Sequence, residues 1–157
     1  MSGREPELDG RARNVAMRLL ARREHSRAEL QVKLGRRGFG NALIRLLVKD
    51  LESHNFLSDE RFAKSLISVR GETGYGPRRI GLELTNRGVA EAVIREAMAR
   101  IDIDWYQCGA DQATKKFGSH PPENFPEWAR RARYLERRGF DSQVIRFAIG
   151  NFEETSS

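Results

Sequence analysis

The residues of this chain best equipped for chemistry are its arginines. The stretch EWARRARYLERRG, residues 127–139, holds five Arg and two Glu. Arg130, Arg131, Tyr134 and Arg138 follow an i, i+1, i+4, i+8 spacing, which on a helix gathers three guanidinium groups and one phenol on one side. A guanidinium presents a planar fork of donors that matches phosphate or carboxylate. An aromatic ring offers a face on which a nucleobase stacks. Such a pattern suits recognition of a polyanion or an acidic surface. A second basic stretch, residues 11–37, sets nine Lys or Arg against two Glu. For any one arginine a solvated surface charge is the simpler reading; the collection is what points to a partner.

The groups that make and break bonds are poorly placed by comparison. His25, His54 and His120 lie far apart, and Cys108 has no neighbour at metal-ligand spacing. GETGYGP, residues 71–77, is glycine-rich but lacks the Lys-Ser/Thr of a phosphate-binding loop, so it reads as a turn. Asp59 and Glu60 suit a helix N-terminus, and Ser26 suits a helix cap better than a nucleophile. No catalytic residue, metal site or cofactor is expected.

The elements that carry these side chains announce themselves by repetition. Arg37-Gly38, Arg87-Gly88 and Arg138-Gly139 are separated by 50 and 51 residues. Around them Leu34, Leu84 and Leu135 align, as do Phe39, Val89 and Phe140, and then Ile44, Ile94 and Ile145. Each glycine sits where a helix ends and the chain needs a left-handed residue. Each arginine lies in the last turn, where a cation meets the negative end of the helix dipole. A helix follows, with Leu43, Ile44, Leu47, Val48 and Leu51 as its apolar stripe in the first copy. Another precedes, over about 12–24 in the first copy and about 103–117 in the third. Ser26 and Glu29 form a capping box, Ser58 or Asp59 caps the helix after it, and Pro77 and Pro126 open later helices.

The pattern is three helices, three times, with no period-2 strand. The fold expected is all-α: an elongated, curved array of three tandem three-helix, helix-turn-helix-like repeats. Their bounds are 12–56, 57–101 and 102–152, with a disordered arm at 1–11 and a disordered tail at 153–157. In the third repeat Arg131 stands where Leu30 and Ile80 stand in the others, so Trp128 and Ala132 are expected to supply apolar surface there. The whole chain has 157 residues, 32% charged and 39% hydrophobic, and a net charge of +6. Of its 28 basic residues 23 are Arg, which suits polyanion contact and equally a GC-rich genome. No apolar run approaches the roughly 20 residues of a membrane helix. A single cysteine and no signal-like leader imply a reducing, cytoplasmic setting.

Three blocks resemble the RecX family of bacterial recombination regulators: LLARREHSRAELQVKLGRRGF, HNFLSDERFAKSLISVRGETGYGPRRIGLELTNRGV and RYLERRGFDSQVI. The middle block is the most specific, with Phe56–Ala63 and then Arg70 and Gly74–Ile80. The resemblance covers about residues 12–150. It implies three tandem three-helix repeats and no enzymatic activity. It further implies a role in recombination, DNA repair and the SOS response through binding to the RecA filament on DNA. There the chain would act as a monomer that blocks filament extension, strand exchange and ATP hydrolysis by RecA. Direct contact with single- or double-stranded DNA is also implied for some members. The side chains expected to supply contacts are Arg27, Lys33, Arg36, Arg70, Arg78, Arg79, Arg87, Arg130, Arg131 and Arg137. The alternative is an autonomous basic DNA-binding protein whose second helices enter the major groove.

Overall fold

The computed structural model describes residues 4–152. Among them are nine helices and no strand: α1 (Arg4–Arg22), α2 (Arg27–Arg36), α3 (Asn41–Ser53), α4 (Asp59–Glu72), α5 (Pro77–Asn86), α6 (Glu91–Arg100), α7 (Trp105–Phe117), α8 (Phe125–Arg138) and α9 (Ser142–Ile149). They fall into three consecutive triplets, as the repeat requires. α1 begins at Arg4, inside the expected 1–11 arm. Residues 1–3 and the expected tail at 153–157 lie outside the described residues.

Local signals act where they were expected. Ser26 caps α2: its hydroxyl accepts from Glu29 N–H while Glu29 accepts from Ser26 N–H. Ser58 rather than Asp59 caps α4, accepting from Arg61 N–H at 3.2 Å. Pro77 opens α5, whereas α8 starts one residue before Pro126, with Asn124 accepting from Glu127 N–H. Asp104 caps α7. The second helix of every triplet ends in the same way. Gly38, Gly88 and Gly139 have φ of 93°, 83° and 104°. At each end the glycine N–H bonds the carbonyl three residues back, and the next N–H bonds the carbonyl five residues back. That is the Schellman termination, and its left-handed residue costs a glycine least.

By contacts between residues the chain forms two compact units. One comprises the chain up to Ser65 together with Leu84–Ala97; the other comprises Leu66–Glu83 and Met98 onward. In the first unit Leu30 and Leu34 of α2 close on Ile44, Leu47, Val48 and Leu51 of α3 and on Ala12 and Ala16 of α1. Each of these leucines is fully or almost fully buried, worth roughly 1.5–3 kcal/mol of transfer free energy apiece. In the second unit α7 packs on α8 and α9 around Ala113, Leu135, Phe140, Val144 and Ile145. Gly109 lets α7 approach α9 closely: an added Cβ would overlap a Val144 methyl.

Candidate functional site

The arginines divide into those paired within the fold and those without a hydrogen bond or ion pair among the described residues. Several of the first group gather at two joints of the same design. In the first unit the start of α2 lies on the end of α5. Ser26 hydroxyl donates to the Arg87 carbonyl at 2.7 Å. Arg87 Nη1 donates to Glu29 Oε2 at 2.9 Å. Gly88 sits against Ala28 so closely that a Cβ there would overlap the Ala28 methyl. Glu29 also receives Arg23 Nη2 at 2.9 Å. Burial opposes its charge, but the donors Arg23 and Ser26 N–H, with the field of Arg23 and Arg87, hold its carboxyl down at about 2.

In the second unit the start of α5 lies on the end of α8 in the same manner. Gly76 N–H donates to the Arg138 carbonyl at 2.7 Å, and Arg78 N–H donates to the Gly139 carbonyl at 3.1 Å. A Cβ on Gly76 would stand 2.5 Å from the Gly139 carbonyl, and one on Gly139 would stand 2.6 Å from Arg79 N. Arg138 Nη2 donates to Thr73 O at 2.7 Å and Nε to Gly74 O at 3.2 Å. Its guanidinium lies 3.9 Å from the Tyr75 ring centre, and that of Arg79 lies 4.5 Å from it. Cations against an aromatic face attract it, so Tyr75 and these arginines brace the turn GETGYGP. Neither Tyr75 nor Glu29 figures among the sequence candidates. The capping-box spacing pointed to Glu29 only as a cap.

The ten candidates are therefore not equivalent. Arg27 pairs with Glu52 at 3.2 Å. Lys33 donates to His25 Nε2 at 2.8 Å, which leaves His25 Nδ1–H to donate to Arg23 O. Burial pushes both groups toward their neutral forms. Arg70 grips Glu83 with two bonds of 2.8 and 3.0 Å. Arg79 reaches Arg137 O at 3.3 Å, and Arg87 holds Glu29. Arg131 is no surface contact at all: only 3% of it is exposed. It pairs with Glu127 and donates to His120 O at 2.9 Å. It occupies the core position of Leu30 and Ile80, and the long α7–α8 loop bends in to supply its acceptor. Arg36, Arg78, Arg130 and Arg137 are exposed, and none of their side chains has a hydrogen bond or ion pair among the described residues. Arg130 alone among the four touches a ring, Phe117, at 5.9 Å.

No three His, Cys, Asp or Glu side chains among the described residues could hold a metal ion. The half-buried Cys108 thiol is pushed up by burial, then by Asp111 and Asp104, away from the thiolate a nucleophile needs. No described helix is long and apolar enough to cross a membrane.

Comparison with known proteins settles what kind of repeat this is. Three family models match in order: the first three-helix domain of RecX over residues 12–51, the second over 58–98 and the third over 102–149. A regulatory protein RecX from Halorhodospira halophila is 39% identical over 142 residues, spanning 90% of this chain and 88% of the relative. The chain belongs to the RecX family. A second family member, regulatory protein RecX of Vibrio parahaemolyticus, is 36% identical over 143 residues, covering 91% of this chain and 92% of its own. The fold is shared with a crystal structure of RecX from Lactobacillus salivarius: TM-score 0.77, 19% identity, 92% of this chain and 96% of that one. The two joints of this RecX-family chain use equivalent residues of successive repeats, so the Arg-Gly pair that defines the repeat in the sequence also fastens one repeat to the next. The chain is a regulator of the RecX type, and its relatives carry the name regulatory protein.

Proposed function

We propose that this chain is a non-enzymatic regulator that binds the RecA–DNA filament in its groove and hinders filament extension, strand exchange and ATP hydrolysis. Membership of the RecX family across all three repeats is the observation that carries this reading. The residues agree with it. Arg78, Arg130 and Arg137 carry exposed guanidinium groups that no hydrogen bond or ion pair among the described residues engages, suited to filament phosphate or to acidic protein surface. Arg70, Arg79, Arg87 and Arg131 then act as scaffold, and the partner meets what they position. The site of action is the cytoplasm, where such a filament assembles, and the acting form is the monomer.

The triple variant Arg78→Glu, Arg130→Glu, Arg137→Glu tests this. Reversed charges at an interface repel the partner they once attracted, so half-inhibition of the RecA DNA-dependent ATPase should need about tenfold more protein or beyond. The variant should keep its helical circular dichroism, because none of the three side chains supports the fold by hydrogen bond or ion pair. Unchanged inhibition would remove these arginines from the contact surface.

An autonomous DNA-binding role is the second reading. Arg36, Arg78, Arg130 and Arg137 all lie on the second helix of a triplet, the helix that enters the major groove in helix-turn-helix proteins. Binding through phosphates falls steeply with log salt. Inhibition of RecA that persists at a salt concentration abolishing binding to bare DNA would favour the filament over the duplex.

A further inference from the structure

We infer that the end of α2, at Arg37–Gly38, is a docking socket for the N-terminus of a helix on the filament protein, the same socket that the fold fills twice internally. The inference rests on the filament reading and names the surface used. The socket is defined by its filled copies. At Arg87–Gly88 and at Arg138–Gly139 the Schellman turn exposes carbonyls and a side-chain-free glycine, and the start of a helix lies on them. One filled copy takes a serine hydroxyl on the arginine carbonyl. The other takes two backbone N–H groups on the arginine and glycine carbonyls. Positive helix start meets negative helix end in both, so the dipoles run head to tail.

Arg37–Gly38 has the same turn, with the same pair of backbone bonds and a φ of 93°. Arg37 and Gly38 are exposed. Their carbonyls and the Arg37 guanidinium have no partner among the described residues, and a Cβ built on Gly38 meets nothing within 4 Å. The occupant is not a second copy. The starts of α2 and α5 already fill the internal sockets. α8 begins three residues earlier in the repeat than they do, so its start is built differently. The filled copies share a helix start capped by serine or glycine. At the first, Ala28 also lies on the glycine and the Glu29 carboxylate pairs with the arginine, whereas α5 opens with no acidic residue in its first turn. The occupant is a helix with a small cap, and a carboxylate in its first turn would pair with Arg37 as Glu29 does with Arg87.

A single carbon atom tests this. A Cβ at Gly38 is harmless to this chain's packing but collides with any helix docked as α2 and α5 are. Asn tolerates the left-handed backbone, so Gly38→Asn should fold. Binding of the labelled full chain to RecA assembled on single-stranded DNA is read by fluorescence anisotropy. Gly38→Asn is expected to bind about tenfold more weakly or worse, the penalty of overpacking a contact. Gly40→Ser, two residues on and also with nothing within 4 Å of its Cβ, should bind as wild type. Arg37→Glu, a substitution at an exposed side chain with no partner, should weaken binding without touching the glycine. If both Gly38→Asn and Arg37→Glu bind as tightly as wild type, the socket is empty in the complex and the inference fails while the filament reading stands. If wild type itself does not bind, the filament reading fails and takes this occupant with it.

Discussion

Arg131→Ala should be the most damaging single truncation of a charged side chain in the second unit, lowering stability by about 3 kcal/mol, the scale for breaking a buried ion pair. Arg131 lies at a core position, pairs with Glu127 and supplies the donor for the His120 carbonyl. Its guanidinium also lies 5.2 Å from the Phe117 ring. Truncation opens a cavity the length of an arginine stem and strands the loop acceptor. Arg131→Leu restores the apolar residue that Leu30 and Ile80 provide in the other repeats, and buried pairs exchanged for hydrocarbon of similar size cost little. It should therefore lie within about 1 kcal/mol of wild type. Urea unfolding followed by Trp fluorescence is the measurement, because Trp105 and Trp128 both belong to this unit. Alanine and leucine variants of equal stability would show that the pair does not support the core.

What could be seen from the sequence was whatever is decided within a few residues. The Schellman glycines, the Ser26–Glu29 box and Pro77 act through bonds no longer than one helical turn, so their spacing alone reveals them. The apolar stripe of α3 is likewise a local period. The roles of individual arginines are not local. Arg130 and Arg131 are neighbours in the same basic run, yet the 100° step of a helix sends one to solvent and the other into the core. The spacing that gathers Arg130, Arg131, Tyr134 and Arg138 on one side does not show that this side faces inward at 131. Arg70 is committed by Glu83, thirteen residues away, and Arg87 by Glu29, fifty-eight residues away. The Arg-Gly repeat was legible as a helix ending. Its second use, receiving the previous repeat, needs the start of another helix to be placed in space.

That second use sets the other large effect. Glu29 bonds Arg23, Arg87 and its own cap at the joint of the first unit, and its carboxyl titrates near 2. Because the folded value lies below the ordinary 4.5, the charge stabilises the fold fully above pH 4.5 and progressively less as pH falls toward 2. At 1.36 kcal/mol per unit the shift is worth at most about 3.5 kcal/mol. Contact with solvent brings the expected loss in Glu29→Gln to about 2 kcal/mol at pH 7. Glutamine keeps the shape and the capping geometry, so charge is the quantity removed. Urea unfolding by circular dichroism should separate wild type from Glu29→Gln at pH 7 and bring the two together near pH 2. A difference that persists unchanged at that acidity would assign the stabilisation to the hydrogen-bonded shape of the side chain. The joint would then be fastened by Ser26 and the close approach of Gly88 to Ala28, and the arginine of the repeat would contribute its backbone carbonyl alone.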